Sequence, residues 1–530
     1  MSIFYSTFPL KSLESLDNKK SMLDLVDQLK KEQEKSLFQG KEKAIAKARA
    51  QGKFTARERI ELLLDENSFF LELLPLIGLE GDGFGPGGTT VSGIGMVEGR
   101  ICVINANIGT LKGGAIDKAT LQKTIRISEI ALENKLTVIN LVESSGANLP
   151  EQEQIFNMGG TIFREITRRS EAGLCTISLV FGNSTAGGAY VPGMSDYSIF
   201  VKNNAKVFLA GPPLVKMATA EEVDEESLGG AQMHSTISGV SDYLAEDEYE
   251  AFRICREILT FLPKENHPKI QEVQEPLYEA EEILSVVPAS PQKPFDCREL
   301  IARVVDGSDF TEFKPAYGPT LICCFSRIHG HEIGILGNNG VIFSEAANKA
   351  THFIQLCNKQ NIPLIFLQNT TGFMVGLQYE REGIIKHGAK LINVVSNAQV
   401  PSITIMTGAS FGAGNYAMNG RAFHPRFLFS YPNAQLAVMG PEQLAGVMTL
   451  IQRQAAEQSG LAFDEENALA VRAYLMAQVE KNASAWYASA QGWDDAIIDP
   501  RDTRMILGLC LQIVSTHQTN SKPSYGVFRM

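Results

Sequence analysis

Two glycine-rich segments are the parts of this chain best suited to chemistry: Gly182-Asn-Ser184-Thr-Ala186-Gly187-Gly188-Ala-Tyr190 and Gly408-Ala-Ser410-Phe-Gly-Ala413-Gly414-Asn415-Tyr416. Each follows a β-rich run, residues 177–181 in one case and 402–406 in the other. The spacing predicts turns over 182–188 and 408–414, each leading into a helix. Glycines at such a turn let consecutive backbone N–H groups point at one spot, and the helix start adds positive potential. Such a spot holds an oxyanion, for example a thioester enolate or a ureido oxygen. A pair of them suggests two oxyanions handled in one reaction. The plain alternative is that the glycines only let strand and helix pack closely.

The pair comes from a duplication. At a shift of 226 positions, Leu136-Thr-Val-Ile-Asn-Leu-Val-Glu-Ser-Ser-Gly146 falls on Ile362-Pro-Leu-Ile-Phe-Leu-Gln-Asn-Thr-Thr-Gly372, and the two turns fall on each other. Upstream the shift is 231, with Glu98-Gly99 meeting His329-Gly330 and Asn107 meeting Asn338. A competing motif sits in the second copy, where Gly408-Ala-Ser410-Phe-Gly412 matches the nucleophile elbow of α/β-hydrolases. A hydrolase would draw its acid and histidine from Asp464 or Asp494 and His424 or His517. The first copy, Gly182-Asn-Ser184-Thr-Ala186, breaks that pattern while keeping its glycines, and a single triad has no use for a duplicate.

The eight histidines show no metal-binding spacing, so no metal is expected on this chain, and there is no phosphate-binding P-loop. A net charge of −12 argues against a nucleic-acid partner. The eight cysteines form no CxxC pair, which suits a reducing compartment. The longest uncharged stretch, 391–420, holds too many polar groups to sit in a membrane. The N-terminus lacks the features of a signal or transit peptide, so a cytoplasmic protein is expected.

The elements that must position the turns read as βαβ units. Runs 101–105 and 136–142 look like buried strands flanking a helix over 117–134. Residues 20–64 read as one or two charged surface helices, and the glycines from Gly81 to Gly88 as loop. A Pro- and Glu-rich stretch reads as a linker. The expected organisation is a helical arm over 1–65, a domain over 66–265, a linker over 266–295 and a second domain over 296–520.

At these turns the chain resembles the β (carboxyltransferase) subunits of biotin-dependent acyl-CoA carboxylases, within the crotonase-like superfamily. The carriers include Lys53-Phe-Thr-Ala-Arg57-Glu-Arg59-Ile, Ser144-Ser-Gly-Ala-Asn-Leu-Pro150, Ser184-Thr-Ala-Gly-Gly-Ala-Tyr-Val-Pro192, Gly211-Pro-Pro-Leu-Val-Lys216, Thr371-Gly-Phe-Met-Val-Gly376, Ser410-Phe-Gly-Ala-Gly-Asn-Tyr416 and Asp499-Pro-Arg-Asp-Thr-Arg504. The resemblance runs from about Leu23 to His517 and implies an α/β fold of two crotonase-like ββα-superhelix domains, the N- and C-terminal CoA carboxyltransferase domains.

It also implies a mechanism. Carboxybiotin on a partner protein releases CO2, its ureido nitrogen takes a proton from the acyl-CoA, and the enolate attacks the CO2. Gly187 and Gly188 would stabilise the enolate, with Gly146, Ala147, Gly159 and Ala186 around the acyl-CoA. Gly414 and Asn415, or Ala413, would hold the ureido oxygen, with Gly372, Phe373 and Tyr416 around biotin. No biotinylation motif of the Ala-Met-Lys-Met type occurs, so biotin must ride on a partner, the α subunit carrying biotin carboxylase and the biotin carrier. In the family, one site is built from two protomers of a dimer within a hexamer.

Gly372-Phe-Met-Val-Gly376 and Gly414-Asn-Tyr416 resemble the methylcrotonoyl-CoA and geranyl-CoA branch, where propionyl-CoA carboxylases tend to have Gly-Phe-Leu-Pro-Gly and Gly-Ala-Tyr. Methylcrotonoyl-CoA enzymes tend to carry an aromatic residue at Gly159. Losing a Phe-sized side chain opens on the order of 100 Å³, so a longer branched acyl tail is expected, unless the backbone or a neighbour closes the gap. Propionyl-type carboxylase, decarboxylase and transcarboxylase subunits are the alternatives.

Overall fold

The computed structural model describes residues 2–81, 83–263, 265–266, 272–291, 293–459, 463 and 465–518. In chain order the strands of the first half are β1 (Ser2–Ile3), β2 (Phe70–Glu72), β3 (Thr90–Val97), β4 (Arg100–Asn107), β5 (Thr137–Ser144), β6 (Thr176–Thr185), β7 (Tyr197–Val201), β8 (Lys206–Phe208), β9 (Tyr243–Ala245) and β10 (Glu265–Asn266). Those of the second are β11 (Asp309–Glu312), β12 (Leu321–Ile328), β13 (His331–Asn338), β14 (Leu364–Thr370), β15 (Ser402–Phe411), β16 (Phe427–Ser430), β17 (Gln435–Ala437), β18 (Ala496–Ile497) and β19 (His517–Gln518).

The chain divides into two compact units, one of residues 33–267 with 515–530, the other of residues 1–32 with 268–514. The first holds a sheet in the order β2-β3-β4-β5-β6-β7-β9, with β8 beside β6. The second holds a sheet in the order β1-β11-β12-β13-β14-β15-β16-β18, with β17 beside β15. In both, antiparallel hairpins lead into parallel strands joined by helices. The α/β class and the duplication expected from the sequence are both present. The parallel strands β5 and β14 are buried almost throughout, as strands covered on both faces must be, and polar residues gather at their C-terminal ends.

The expected helix over 117–134 is Lys118–Glu133, capped by the Asp117 carboxylate, which accepts from Thr120 N–H at 2.8 Å. Residues 20–64 form three helices, Leu13–Ser36, Glu42–Ala50 and Ala56–Leu63. The first is less solvated than its Lys and Glu content implies, because Met22, Val26 and Leu29 repeat at helical spacing and are buried. Within the stretch expected as a linker, 267–271 and 292 lie outside the described residues, and Ile283–Val286 is a short, fully buried helix. The expected second domain reaches 519–520, which also lie outside them.

The repeat extends to long-range devices that no local motif announces. The β3–β4 hairpin turns through Glu98 and Gly99, and the β12–β13 hairpin through His329 and Gly330, all four at positive φ. Asp65 accepts from Glu98 and Gly99 N–H, and Asp306 from His329 and Gly330 N–H, at 2.7–2.9 Å. Arg256 then clamps Asp65 and the Leu63 carbonyl, just as Arg504 clamps Asp306 and the Val304 carbonyl.

In the unit of residues 33–267 the helix Ala56–Leu63 delivers Arg59 into the core. Arg59 is 1% exposed, donates twice to Glu248 (2.8 and 2.7 Å) and once to Glu143 (2.7 Å), and lies over the Phe181 ring. Truncating one partner of a buried ion network leaves uncompensated charge behind. Arg59→Met strands Glu248, leaves Glu143 with Lys53 alone, and is expected to cost about 3–5 kcal/mol, read as a lower denaturant midpoint. An unchanged midpoint would show that the network does not support the fold.

Candidate active site

The first turn is made by a strand that changes partners. β6 pairs with β7 as far as Val180↔Phe200, then with β8 from Asn183↔Lys206 to Thr185↔Phe208. Its pairing with β5 shifts register between Val142 and Ser144. At the corner, Gly182 has no room for a side chain, because a Cβ there would meet the Glu143 carboxylate. The turn therefore begins later than the glycine pattern implies: residues 182–185 are strand, held by β8, and the chain turns only at Ala186–Ala189.

Ala186 enters that turn at φ 54°, and no side chain caps it. The N–H groups of Ala186, Gly187 and Gly188 head a helical turn and have no intrahelical acceptor. Gly146 (φ 89°) and Ala147 are drawn alongside. The Gly146 N–H meets Ser144 Oγ at 3.2 Å, and its carbonyl accepts from Ile116 N–H at 2.9 Å. A Cβ on Gly146 would lie 3.0 Å from the Thr185 carbonyl. Gly159 lies on the helix Gln152–Glu171, where a Cβ would have nothing within 4 Å. One turn further on, Phe163 reaches the space beside Gly187 and packs edge-on against Tyr190.

A cavity of about 740 Å³ meets the strand that leads into this turn at Asn183, and is lined also by Lys47, Lys53, Lys206, Gly109 and Ser145 together with Glu143 and Glu225. Lys53 Nζ lies 2.9 Å from Glu143. Burial alone would raise the Glu143 pKa, but Arg59 and Lys53 outweigh it and hold the carboxyl below its usual range. Glu143 is therefore an ionised anchor. Its place in the site was missed from sequence, although Lys53 and Arg59 stand in a motif that drew notice.

The second turn repeats this construction at the same residues. β15 pairs with β16 as far as Met406↔Ser430 and with β17 from Ala409↔Gln435 to Phe411↔Ala437; its pairing with β14 shifts between Gln368 and Thr370. Gly412 takes φ 55°, as Ala186 does, and the helix Gly412–Ala417 has no side-chain cap. Gly372 and Phe373 are held by Ile342 as Gly146 and Ala147 are by Ile116, the Ile342 N–H meeting the Gly372 carbonyl at 3.0 Å. The Phe373 ring packs close to Gly388 and joins the core. Ala413, Asn415 and Tyr416 line a cavity of about 740 Å³ with Leu436, Val438 and Trp493.

By position, Gly187 and Gly188 correspond to Ala413 and Gly414, and Asn415 to Ala189. The Asn415 side chain is tied into the core, its Nδ2 donating to Ser410 Oγ at 2.8 Å. Ser410 is no exposed nucleophile: it is fully buried and its hydroxyl donates to Gln368 Oε1 at 2.5 Å. Asp494 is likewise committed, to Ser430 at 2.7 Å, and Asp464 lies outside the described residues. Among the described residues no group of three metal-binding side chains comes together, and no helix is long and apolar enough to cross a membrane.

The glycines divide into two kinds. Gly182, Gly408 and Gly414 are demanded by packing; a Cβ on Gly414 would sit 2.9 Å from Gly372 Cα and from Thr370 Cγ2. Gly187 and Gly188 are not. Their φ is not left-handed, and a Cβ would make only ordinary contacts, at 3.4 Å with Phe163 and 3.6 Å with Ser184. Close packing leaves those two glycines unexplained, whereas a ligand reaching their N–H groups requires open space.

Residues 47–526 match the carboxyl transferase domain family. The chain is 52% identical over 512 residues to a probable biotin-dependent acyl-coenzyme A carboxylase beta2 subunit of Mycobacterium tuberculosis, covering 96% of this chain and 97% of that one. It is 46% identical to the mitochondrial methylcrotonoyl-CoA carboxylase beta chain of Arabidopsis thaliana, covering 97% and 89%. The crystal structure of the P. aeruginosa geranyl-CoA carboxylase beta subunit superposes with a TM-score of 0.91 at 40% identity, with both chains fully covered.

If Gly188 is kept open for a ligand, a methyl group there harms turnover and not folding. Gly188→Ala is expected to melt within about 1 °C of the parent, a change of well under 1 kcal/mol. It should lose about 10²–10³-fold in kcat, the scale of one lost oxyanion contact. A large drop in melting temperature would return Gly188 to a packing role.

Proposed function

The chain belongs to the carboxyl transferase domain family as the β subunit of a biotin-dependent acyl-CoA carboxylase with the crotonase-like fold, and from that premise we propose that it carboxylates a branched, unsaturated acyl-CoA. The observation that carries the reading is the pair of matched turns, each opening a helical turn with no side-chain cap on its first N–H groups, with a cavity on the strand before the first and one against the second.

At the first turn, Gly187 and Gly188 N–H donate to the thioester oxygen. They stabilise the negative charge that appears there once the proton is lost, and one such donor is worth about 2.7–4 kcal/mol. Lys47 and Lys53 supply positive charge for the CoA phosphates, and Gly146 and Ala147 flank the thioester arm. Glu143, fixed by Lys53 and Arg59, anchors the lysine and takes no proton. The second turn presents Ala413 and Gly414 N–H to the ureido oxygen of biotin. Tyr416, Leu436 and Val438 give that cavity the apolar wall a fused-ring ligand needs, so the residues fit the group. Bound carboxybiotin supplies the CO2 and the nitrogen that accepts the substrate proton. No side-chain base is needed in this scheme.

The biotin arrives on an α subunit that also carries biotin carboxylase. Copies of the chain assemble as a hexamer built of dimers, in which the acyl-CoA turn of one copy works with the biotin turn of its dimer partner. Phe156, Val375, Leu377 and Ile385, 70–86% exposed, are the apolar surface such assembly would cover. The eight free cysteines suit the cytoplasm. The Gly372-Phe-Met-Val-Gly376 and Gly414-Asn-Tyr416 signatures and the relatives favour the methylcrotonoyl-CoA and geranyl-CoA branch over a propionyl-type enzyme or a decarboxylase.

Open space at Gly159, one turn before Phe163, supports a long acyl tail. The test is ATP-dependent incorporation of labelled bicarbonate into a panel of acyl-CoAs by the native complex, with avidin as inhibitor control. Avidin-sensitive label in a long branched enoyl-CoA is expected. Absence of label with a biotinylated partner present would favour decarboxylation. Gly159→Phe should cut kcat/KM on the long branched substrate by 10-fold or more, about 1.4 kcal/mol, and spare a five-carbon one. Equal activity on both would sink the tail assignment.

A further inference from the structure

Beneath the second turn lies a buried polar network that the first turn lacks. Gln368 on β14 is fully buried; its Nε2 donates to the carbonyls of Met418 (2.6 Å) and Asn415 (3.4 Å). Its Oε1 accepts from Ser410 Oγ on β15 (2.5 Å) and from Asn415 Nδ2 (3.4 Å), and Asn415 Nδ2 also donates to Ser410 (2.8 Å). Gly420 leaves the room the Asn415 amide occupies, since a Cβ there would collide with it. Three side chains thus tie two neighbouring strands to the C-terminal half of the helix Gly412–Ala417, beginning at Asn415, the residue after Gly414. At the first turn the positions of Gln368 and Asn415 are held by Val142 and Ala189, and Ser184 Oγ donates to the Gly188 carbonyl at 2.9 Å.

We propose that Gln368 and Asn415 are positioning residues that hold the Ala413 and Gly414 N–H groups at a fixed aim for the ureido oxygen, an inference that rests on the assignment of biotin to this turn. The physical need is asymmetric. An acyl-CoA brings a nucleotide and a long arm whose contacts can offset the cost of ordering its turn. Biotin's bicyclic head brings few contacts, so its donors must be ordered beforehand. A satisfied buried network does this, because each amide is fixed by the others and none can rotate without leaving a partner unpaired.

The first turn supplies its own control. The double variant Gln368→Val with Asn415→Ala gives the second turn the residues of the first and frees Ser410 to donate to the Gly414 carbonyl; of the network's backbone acceptors, the Met418 carbonyl loses its close donor. Purified full-length chain is assayed for carboxyl transfer from the carboxylated thioester, isolated from the labelling reaction, to free biotin. The double variant should melt within 2 °C of the parent, with KM for biotin raised about 10-fold and KM for the thioester unchanged. If it does not fold, Asn415→Ala alone is read in the same way. A biotin KM within twofold of the parent overturns the positioning role. Ala413→Val tests the underlying assignment separately: if it leaves the biotin KM unmoved, biotin does not sit at this turn. If it raises that KM while the network variants do not, only the positioning role fails.

Discussion

Everything in each half depends on one constraint: a single strand must serve two neighbours in succession. β6 leaves β7 after Val180 and takes up β8 at Asn183; β15 does the same between β16 and β17. The change of partner skips the ladder with the preceding strand at Glu143 or Asn369 and pushes that residue's side chain against Gly182 or Gly408. The strand then ends on a residue at φ near 55°, Ala186 or Gly412. For alanine that conformation costs on the order of 1–2 kcal/mol. The cores, hairpins and arginine clamps hold this corner in place, and the corner leaves consecutive N–H groups without partners.

The two corners diverge in what supports them. Under the first lie ions: Glu143 between Lys53 and Arg59, with Glu248 behind. Burial outweighs Arg59 at Glu248 and raises its pKa, while two cations lower that of Glu143. The charge nearest the turn is thus firmly negative but neutralised, with Lys53 left facing the cavity. Under the second lie neutral amides and a hydroxyl. Ions suit a site meant for phosphates and a developing enolate; amides, cheaper to bury once satisfied, suit a small ligand that brings no fixed charge of its own beyond the group it transfers.

Much of this was legible from sequence, for reasons that can be stated. The 226-residue shift survives because the corner tolerates few residue types, so Gly146/Gly372, Ser184/Ser410 and Gly188/Gly414 recur together. The start of the turn was misread because Gly-Asn-Ser-Thr at 182–185 has turn composition, and only pairing with β8 makes it strand. The Asp65–Arg256 and Asp306–Arg504 clamps, about two hundred residues apart in sequence, leave no local signal. That the Asn415 side chain is bound to Ser410 and Gln368 is something no spacing reveals. The apolar stripe Met22–Val26–Leu29 was visible in principle but overshadowed by surrounding charge.

Duplication alone would give two identical oxyanion sites, and a reaction between two different partners needs them unequal. The inequality is written in the glycines. At the second turn Gly414 is pressed against Gly372 and Thr370, so its inner face is closed by packing and its donors are stiff before anything binds. At the first, Gly187 and Gly188 could each bear a methyl group without collision, and Gly187 is exposed while Gly188 is buried beside Ser184. A stiff turn for a small ligand and an accessible one for a large ligand follow from one ancestral corner through changes that keep its strand pairing and its entry at φ near 55°.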